Sequence, residues 1–199
     1  MSLLNNRGLT FVELIVVIVM SSFLAIIIST FIVRTFTIFF DLQTQGLAQS
    51  KVTDASFRIS KVFRGITYIE NAEANTITGY TYFAPNDQYT SKITYYLNSS
   101  TNKVMAEVTP MTADYPIGSL LNGEKRTVTI IDNYYPVNGL SLFQYYNANY
   151  DALSAPVTDK QSIKNITVNL QSGYNTNKNN GKYTSSSISV NLRNRKTNL

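Results

Sequence analysis

Histidine and cysteine are both absent from the 199 residues. No imidazole can serve as a general base and no thiolate as a nucleophile, and the usual zinc and iron-sulfur ligand sets and every disulfide are excluded. Carboxylates are among the groups left that can do acid-base work. Asp54, Asp87, Asp114, Asp132, Asp151, Asp159, Glu70, Glu73, Glu107 and Glu124 are dispersed along the chain, whereas hydrolytic chemistry needs two of them converging on one bond. Glu70 and Glu73, three apart, would share one face of a helix. The Asn and Asp residues of 147–151 carry oxygens of the kind calcium prefers, without the spacing of an EF-hand loop. No phosphate-cradling glycine loop and no Gly-x-Ser-x-Gly elbow occurs. The expectation is a protein that is not an enzyme and holds no cofactor and no metal.

Recognition is the second chemistry open to these residues. The formal net charge is +5, and the cations are scattered apart from Arg193, Arg195 and Lys196. That cluster would contact DNA phosphates or lipid headgroups if it does anything beyond solvating a chain end. Fourteen tyrosines include the doublets Tyr95 and Tyr96, Tyr134 and Tyr135, and Tyr145 and Tyr146, rings of a kind that stack on sugars or bases. Adjacent strand residues face opposite sides, so one of each strand doublet is expected in the core. With 44% hydrophobic and 15% charged residues, the chain has material for one folded domain plus an appendage.

A third kind of chemistry would be done to the chain. Leu14 to Val33, LIVVIVMSSFLAIIISTFIV, is a run of 20 residues without a charge. At about 1.5 Å per residue it spans about 30 Å as a helix, the thickness of a bilayer's hydrocarbon core. Helix is also the form that satisfies the backbone there. In front of it stands MSLLNNRG, whose one charge, Arg7, sets the leader on the cytoplasmic side. A secretory signal peptide carries its small-residue cleavage site after the apolar stretch. Here Gly8 precedes the stretch, so a cut after Gly8 would discard the leader and keep the anchor. Glu13 stands at the edge of the apolar zone, where a carboxylate is costly unless a cation pairs with it.

Arg7, Gly8, Leu9, Thr10, Phe11, Val12, Glu13 and Leu14 resemble the class III signal of type IV prepilins and pseudopilins. The resemblance implies cleavage between Gly8 and Leu9 by a membrane-embedded prepilin peptidase and methylation of the new amino terminus at Leu9. It makes Glu13 the fifth residue of the mature chain and the assembly residue, attracting the amino terminus of a neighbouring subunit. Leu9 stands where phenylalanine is commonest in that family, and Thr30 where many major pilins carry a helix-loosening proline. The resemblance further implies other pilin subunits, an assembly platform and its ATPase as partners.

Past the span, Arg34 and Asp41 mark the exit toward water, with Phe36, Phe39 and Phe40 at interfacial depth. Leu42, Leu47, Val52, Ala55, Ile59, Val62, Phe63 and Ile66 then recur every three to four residues, which predicts an amphipathic continuation of the same helix ending near Gly65. Gly46 is a place where it would bend. From Thr76 the period changes to two. ITGYTYF, KITYYL and KVMAEV read as strands, as do 127–131, 140–146, 163–170 and 184–192. Asn98 to Asn102 reads as a hairpin loop and Tyr174 to Gly181 as an exposed turn.

The expected fold is α+β and pilin-like: a leader over 1–8, a transmembrane helix half over 9–40, its amphipathic continuation over 41–66, and an antiparallel β-rich head over 67–199. Leu192, Arg193 and Asn194 resemble the ending of the larger minor pilins and J-type pseudopilins. The expected function is that of a structural subunit of a type IV pilus, type II secretion or DNA-uptake filament, stored in the cytoplasmic membrane with its head outside. The alternative is a signal-anchored surface binding protein, an adhesin or DNA receptor, that does not polymerise.

Overall fold

The computed structural model describes residues 10–136, 139–174 and 182–193. Its contacts divide the chain into two units, with the boundary between Thr44 and Gln45. A single helix, α1 (Phe11–Arg64), contributes to both, and antiparallel sheets supply the rest. The protein is therefore α+β.

In the first unit every described side chain from Thr10 to Phe40 is exposed. The helix is long and apolar enough to cross a membrane, with a mean hydropathy of 2.8 over its most apolar stretch and none of that stretch buried. Its β-branched residues would favour a strand in water, but hydrogen bonds closed within one segment favour the helix in lipid. The hydroxyls follow the same logic. Ser22, Thr30, Thr35, Thr37 and Thr44 donate to the carbonyls of Ile18, Ile26, Phe31, Val33 and Phe40, one turn back, at 2.8–2.9 Å. Thr30 thus leaves the helix unbroken where a proline would remove a hydrogen bond. Gly46 likewise stays within continuous helix.

In the second unit α1 buries one face. Val52, Ala55, Ile59, Val62 and Phe63 are in the core while Phe57, Arg58 and Lys61 are exposed, the three-to-four spacing of a helix with one dry side. Ser56 and Ser60 are buried with them, and their hydroxyls bond to the carbonyls of Val52 and Phe57 at 2.9 Å. The helix ends where the sequence predicts, one residue before Gly65. A Cβ on Gly65 would come within 2.9 Å of the Thr81 hydroxyl oxygen, which donates to the carbonyl of Val62 at 3.1 Å. Thr81 so caps the last turn from a strand, and Gly65 lets it approach.

The first sheet is a five-stranded meander: β1 (Tyr68–Ala72), β2 (Thr76–Thr81), β3 (Ser91–Asn98), β4 (Lys103–Pro110) and β5 (Arg126–Ile131). The β3–β4 hairpin forms at the expected loop. The Asn98 side-chain oxygen accepts from the backbone of Ser100 and Thr101 at 3.2 and 3.3 Å, and Asn102 takes a left-handed φ of 51°, a conformation asparagine tolerates. The second sheet is separate, β6 (Phe143–Tyr146), β7 (Ala152–Leu153), β8 (Asn165–Tyr174) and β9 (Lys182–Asn191), in the order β7-β6-β8-β9. The serines of β9 have a structural reason. Asn165 and Asn169 of β8 are buried, and the Ser189 and Ser187 hydroxyls donate to their side-chain oxygens at 2.6 and 2.7 Å.

Phe63 is where the elements of this unit meet. Its ring lies edge-on to Tyr95 of β3 at 5.4 Å and tilted against Phe143 of β6 at 5.9 Å, so one helical side chain touches both sheets. Burying such a ring contributes about 1.5–3 kcal/mol before the contacts between rings are counted.

Three expectations need correction. Glu70 lies in strand β1 and Glu73 just after it, so the two share no helical face. β6 starts at Phe143 rather than 140, because the Leu142 N–H donates to the Asn75 side-chain oxygen at 3.5 Å and the Ser141 carbonyl accepts from the Asn169 side chain at 2.9 Å in place of backbone partners on β8. β8 continues through Tyr174, which therefore belongs to a strand, and the rest of the expected turn, 175–181, lies outside the described residues.

Candidate functional site

Gly8 and Leu9, the expected cleavage and methylation positions, lie outside the described residues. Thr10 is the residue before the first turn of α1. Its backbone N–H donates to Glu13 Oε2 at 2.8 Å and its hydroxyl donates to the same oxygen at 2.9 Å. The Glu13 N–H reaches back to Thr10 Oγ1 at 3.3 Å, and the Leu14 N–H donates to the Thr10 carbonyl at 3.1 Å. This is a capping box: threonine before the helix and glutamate three residues on satisfy each other's orphan donors. A carboxylate at a helix N-terminus is also favoured by the macrodipole. Thr10 is not among the site residues the sequence singles out, although Thr-x-x-Glu before an apolar run is the spacing that signals such a box.

The box uses one oxygen of Glu13 twice. Oε1 has no hydrogen-bond partner among the described residues. The first turn therefore presents a fixed carboxylate, one oxygen of which no described residue engages, at the start of an uncovered apolar helix. Chemically this arrangement can accept a cation or a hydrogen-bond donor.

The other candidates are dispersed or already engaged. Arg193 is exposed just past β9, and Arg195 and Lys196 lie outside the described residues, so only one of the three basic residues is placed. Glu70, Glu107 and Asp132 pair with Lys92, Lys125 and Lys103 at 2.9, 2.8 and 3.1 Å. Asp87 accepts from the N–H groups of Phe83 and Ala84 at 3.0 and 2.8 Å. Asp114 accepts from the Thr90 N–H at 2.8 Å and from the Tyr82 hydroxyl at 3.0 Å, and that hydrogen bond to a carboxylate pushes the Tyr82 phenol up. Among the described residues no three carboxylates converge into a metal site. In the 147–151 loop the Asn147 side-chain oxygen accepts from the N–H groups of Asn149 and Asp151 at 2.8 and 2.9 Å, and its amide donates to Asp151 Oδ2 at 2.9 Å. The oxygens considered for calcium thus close the turn on itself.

The tyrosine doublets divide as strand geometry requires. Tyr95, Tyr134 and Tyr145 are buried, and Tyr96, Tyr135 and Tyr146 are half-buried. The Tyr145 hydroxyl donates to the carbonyl of Glu73 at 2.7 Å, and burial pushes its phenol well above the ordinary range. Tyr80 stacks on Tyr115 at 4.0 Å. Burial, followed by the charge of Glu70 and the hydrogen bond to it, pushes the Tyr80 phenol up to about 12.

No family model, no curated protein and no solved structure matches the chain.

Proposed function

We propose that the chain is a minor pilin or pseudopilin: a structural subunit that a prepilin peptidase cleaves after Gly8, that is methylated at Leu9, and that is stored in the cytoplasmic membrane before entering a type IV pilus-like filament. The observation that carries this reading is the placement of RGLTFVEL directly before a charge-free run that forms an uncovered helix. A long helix apolar on every side requires either lipid or other helices around it, and a subunit that moves from membrane to filament meets both in turn. Glu13 fits the same reading. It is held by Thr10 through Oε2, and no described residue engages Oε1, the oxygen that would meet the positive amino terminus of a neighbouring subunit.

Mass analysis of the membrane-extracted protein, from cells containing an active prepilin peptidase, is the test. A chain beginning at methylated Leu9 is the expected result. A chain that retains Met1 and stays monomeric supports instead the uncleaved surface tether. Glu13→Ala is expected to be cleaved normally and to be excluded from filaments.

A further inference from the structure

In the unit from Gln45 onward, a half-open cleft of 440 Å³ lies among residues of α1, β3 and β5 and the segment following β2. Arg58 and Lys61 line it from the helix. Three apart, they share a helical face, and neither has an anionic partner among the described residues. Phe83, Pro85 and Ile130 give the cleft apolar lining.

Tyr95 also lines the cleft, although only 2% of it is exposed. Its ring is fixed edge-on against Phe63, yet its hydroxyl has no hydrogen-bond partner among the described residues. A buried hydroxyl without a partner carries a cost that a ligand can remove. Burial pushes the Tyr95 phenol above its ordinary range, against the opposing pull of the nearby Arg58 cation, so at neutral pH this group is a hydrogen-bond donor. One cleft thus combines two cations without an anionic partner and a buried donor without an acceptor among the described residues, together with apolar lining.

We propose that this cleft docks a carboxylate side chain of a partner polypeptide, flanked by apolar residues: Arg58 and Lys61 neutralise the carboxylate, Tyr95 donates to it, and Phe83, Pro85 and Ile130 receive its apolar neighbours. A polypeptide suits the half-open form, because the backbone can run outside while one side chain enters. Sites for small ligands enclose most of the ligand surface. The proposal stands whether or not the chain polymerises.

The test uses the full chain in detergent micelles with a fluorescein-labelled peptide that carries glutamate between leucine and phenylalanine, and with its glutamine counterpart. The acidic peptide is expected to bind tighter by about tenfold or more, and added salt is expected to weaken it. Arg58→Gln with Lys61→Gln should reduce its affinity to that of the glutamine peptide. Tyr95→Phe should weaken acidic-peptide binding about tenfold with the melting temperature unchanged or raised, since in the free protein the variant removes a donor without a partner. Equal affinity for the two peptides, or unchanged binding in the double variant, overturns the proposal. So does unchanged binding in Tyr95→Phe, which would make the hydroxyl a bystander. Selective binding of phenylacetate or of single-stranded oligonucleotide in place of the acidic peptide also overturns it, by naming a different occupant.

Discussion

The two halves of α1 are built from similar apolar residues and obey different rules. From Phe11 to Phe40 valine, isoleucine and phenylalanine occur on every side, and none is covered. From Val52 to Phe63 they concentrate on one side, and that side is dry, while Phe57 stays exposed on the other. The first half closes most of its hydroxyls onto its own backbone, as in the bonds from Ser22, Thr30 and Thr35 to carbonyls one turn back. In the second half side chains reach other elements, as where the Thr184 hydroxyl of β9 donates to Gln49 and Thr81 of β2 caps Val62. Local apolarity makes a helix in both cases, and the angular distribution of the apolar residues decides what that helix requires as surroundings.

The sharpest way to break this contrast is to remove one ring from each half. Phe63→Ala should destabilise the second unit by about 3–5 kcal/mol, because the ring's contacts to Tyr95 and Phe143 have no substitute. Phe31→Ala should change the same unfolding midpoint by less than about 0.5 kcal/mol. Urea titration of the two variants in micelles, followed by near-ultraviolet circular dichroism of the tyrosines, makes the comparison.

The reverse experiment puts a charge in the first half. Ile26→Asp should raise the cost of membrane insertion by about 3–4 kcal/mol while leaving the fold of the second unit intact. An in vitro insertion assay, with the melting temperature of the same variant, reads both. Next in size is Tyr145→Phe, which strands the carbonyl of Glu73 and should cost about 1–3 kcal/mol in urea.

Thr10→Val removes the hydroxyl from the capping box and should cost the first turn about 1 kcal/mol. Amide exchange at Glu13 and Leu14, measured in nanodiscs, should speed up about fivefold, with no change in the second unit.

The smallest effect appears only in alkali. The folded-state phenol of Tyr80 is raised to about 12, above an ordinary tyrosine near 10. The unfolded chain therefore loses this proton first, and the resulting stability is complete below about pH 10 and is lost as pH rises toward 12. The urea midpoint should fall across that window, and Tyr80→Phe should make the fall shallower.

Much of this contrast is legible in the residues themselves. The charge-free run, the later three-to-four spacing and the stop at Gly65 place α1 almost to the residue, because both periodicity and helix breaking are local properties. Strands β3 and β4 and their loop are legible for the same reason. β1 is not, since YIENA sets Glu70 and Asn71 in an edge strand with only Ile69 and Ala72 buried, and its register shifts between Ile69 and Asn71. Two-residue β7 is too short to carry a pattern. The division into two sheets is not legible either, because a period of two says that a segment is a strand without saying which strand it pairs with. At the candidate site, the Thr10 box is written in its spacing and Glu13 is conspicuous by its charge. That the Tyr95 hydroxyl finds no partner among the described residues depends on which residues fold around it, and no local signal announces it.

The hydroxyls along the first half of α1 have a final consequence. Because Ser22, Thr30, Thr35, Thr37 and Thr44 are each tied to the preceding turn, another helix that slides or rotates against this surface breaks no polar contact with them. Where only dispersion forces act, many offsets are of nearly equal energy. A unique alignment of two such rods would then depend on groups of another kind, such as the hydroxyls of Ser21 and Ser29 and the formal charges at Glu13, Arg34 and Asp41.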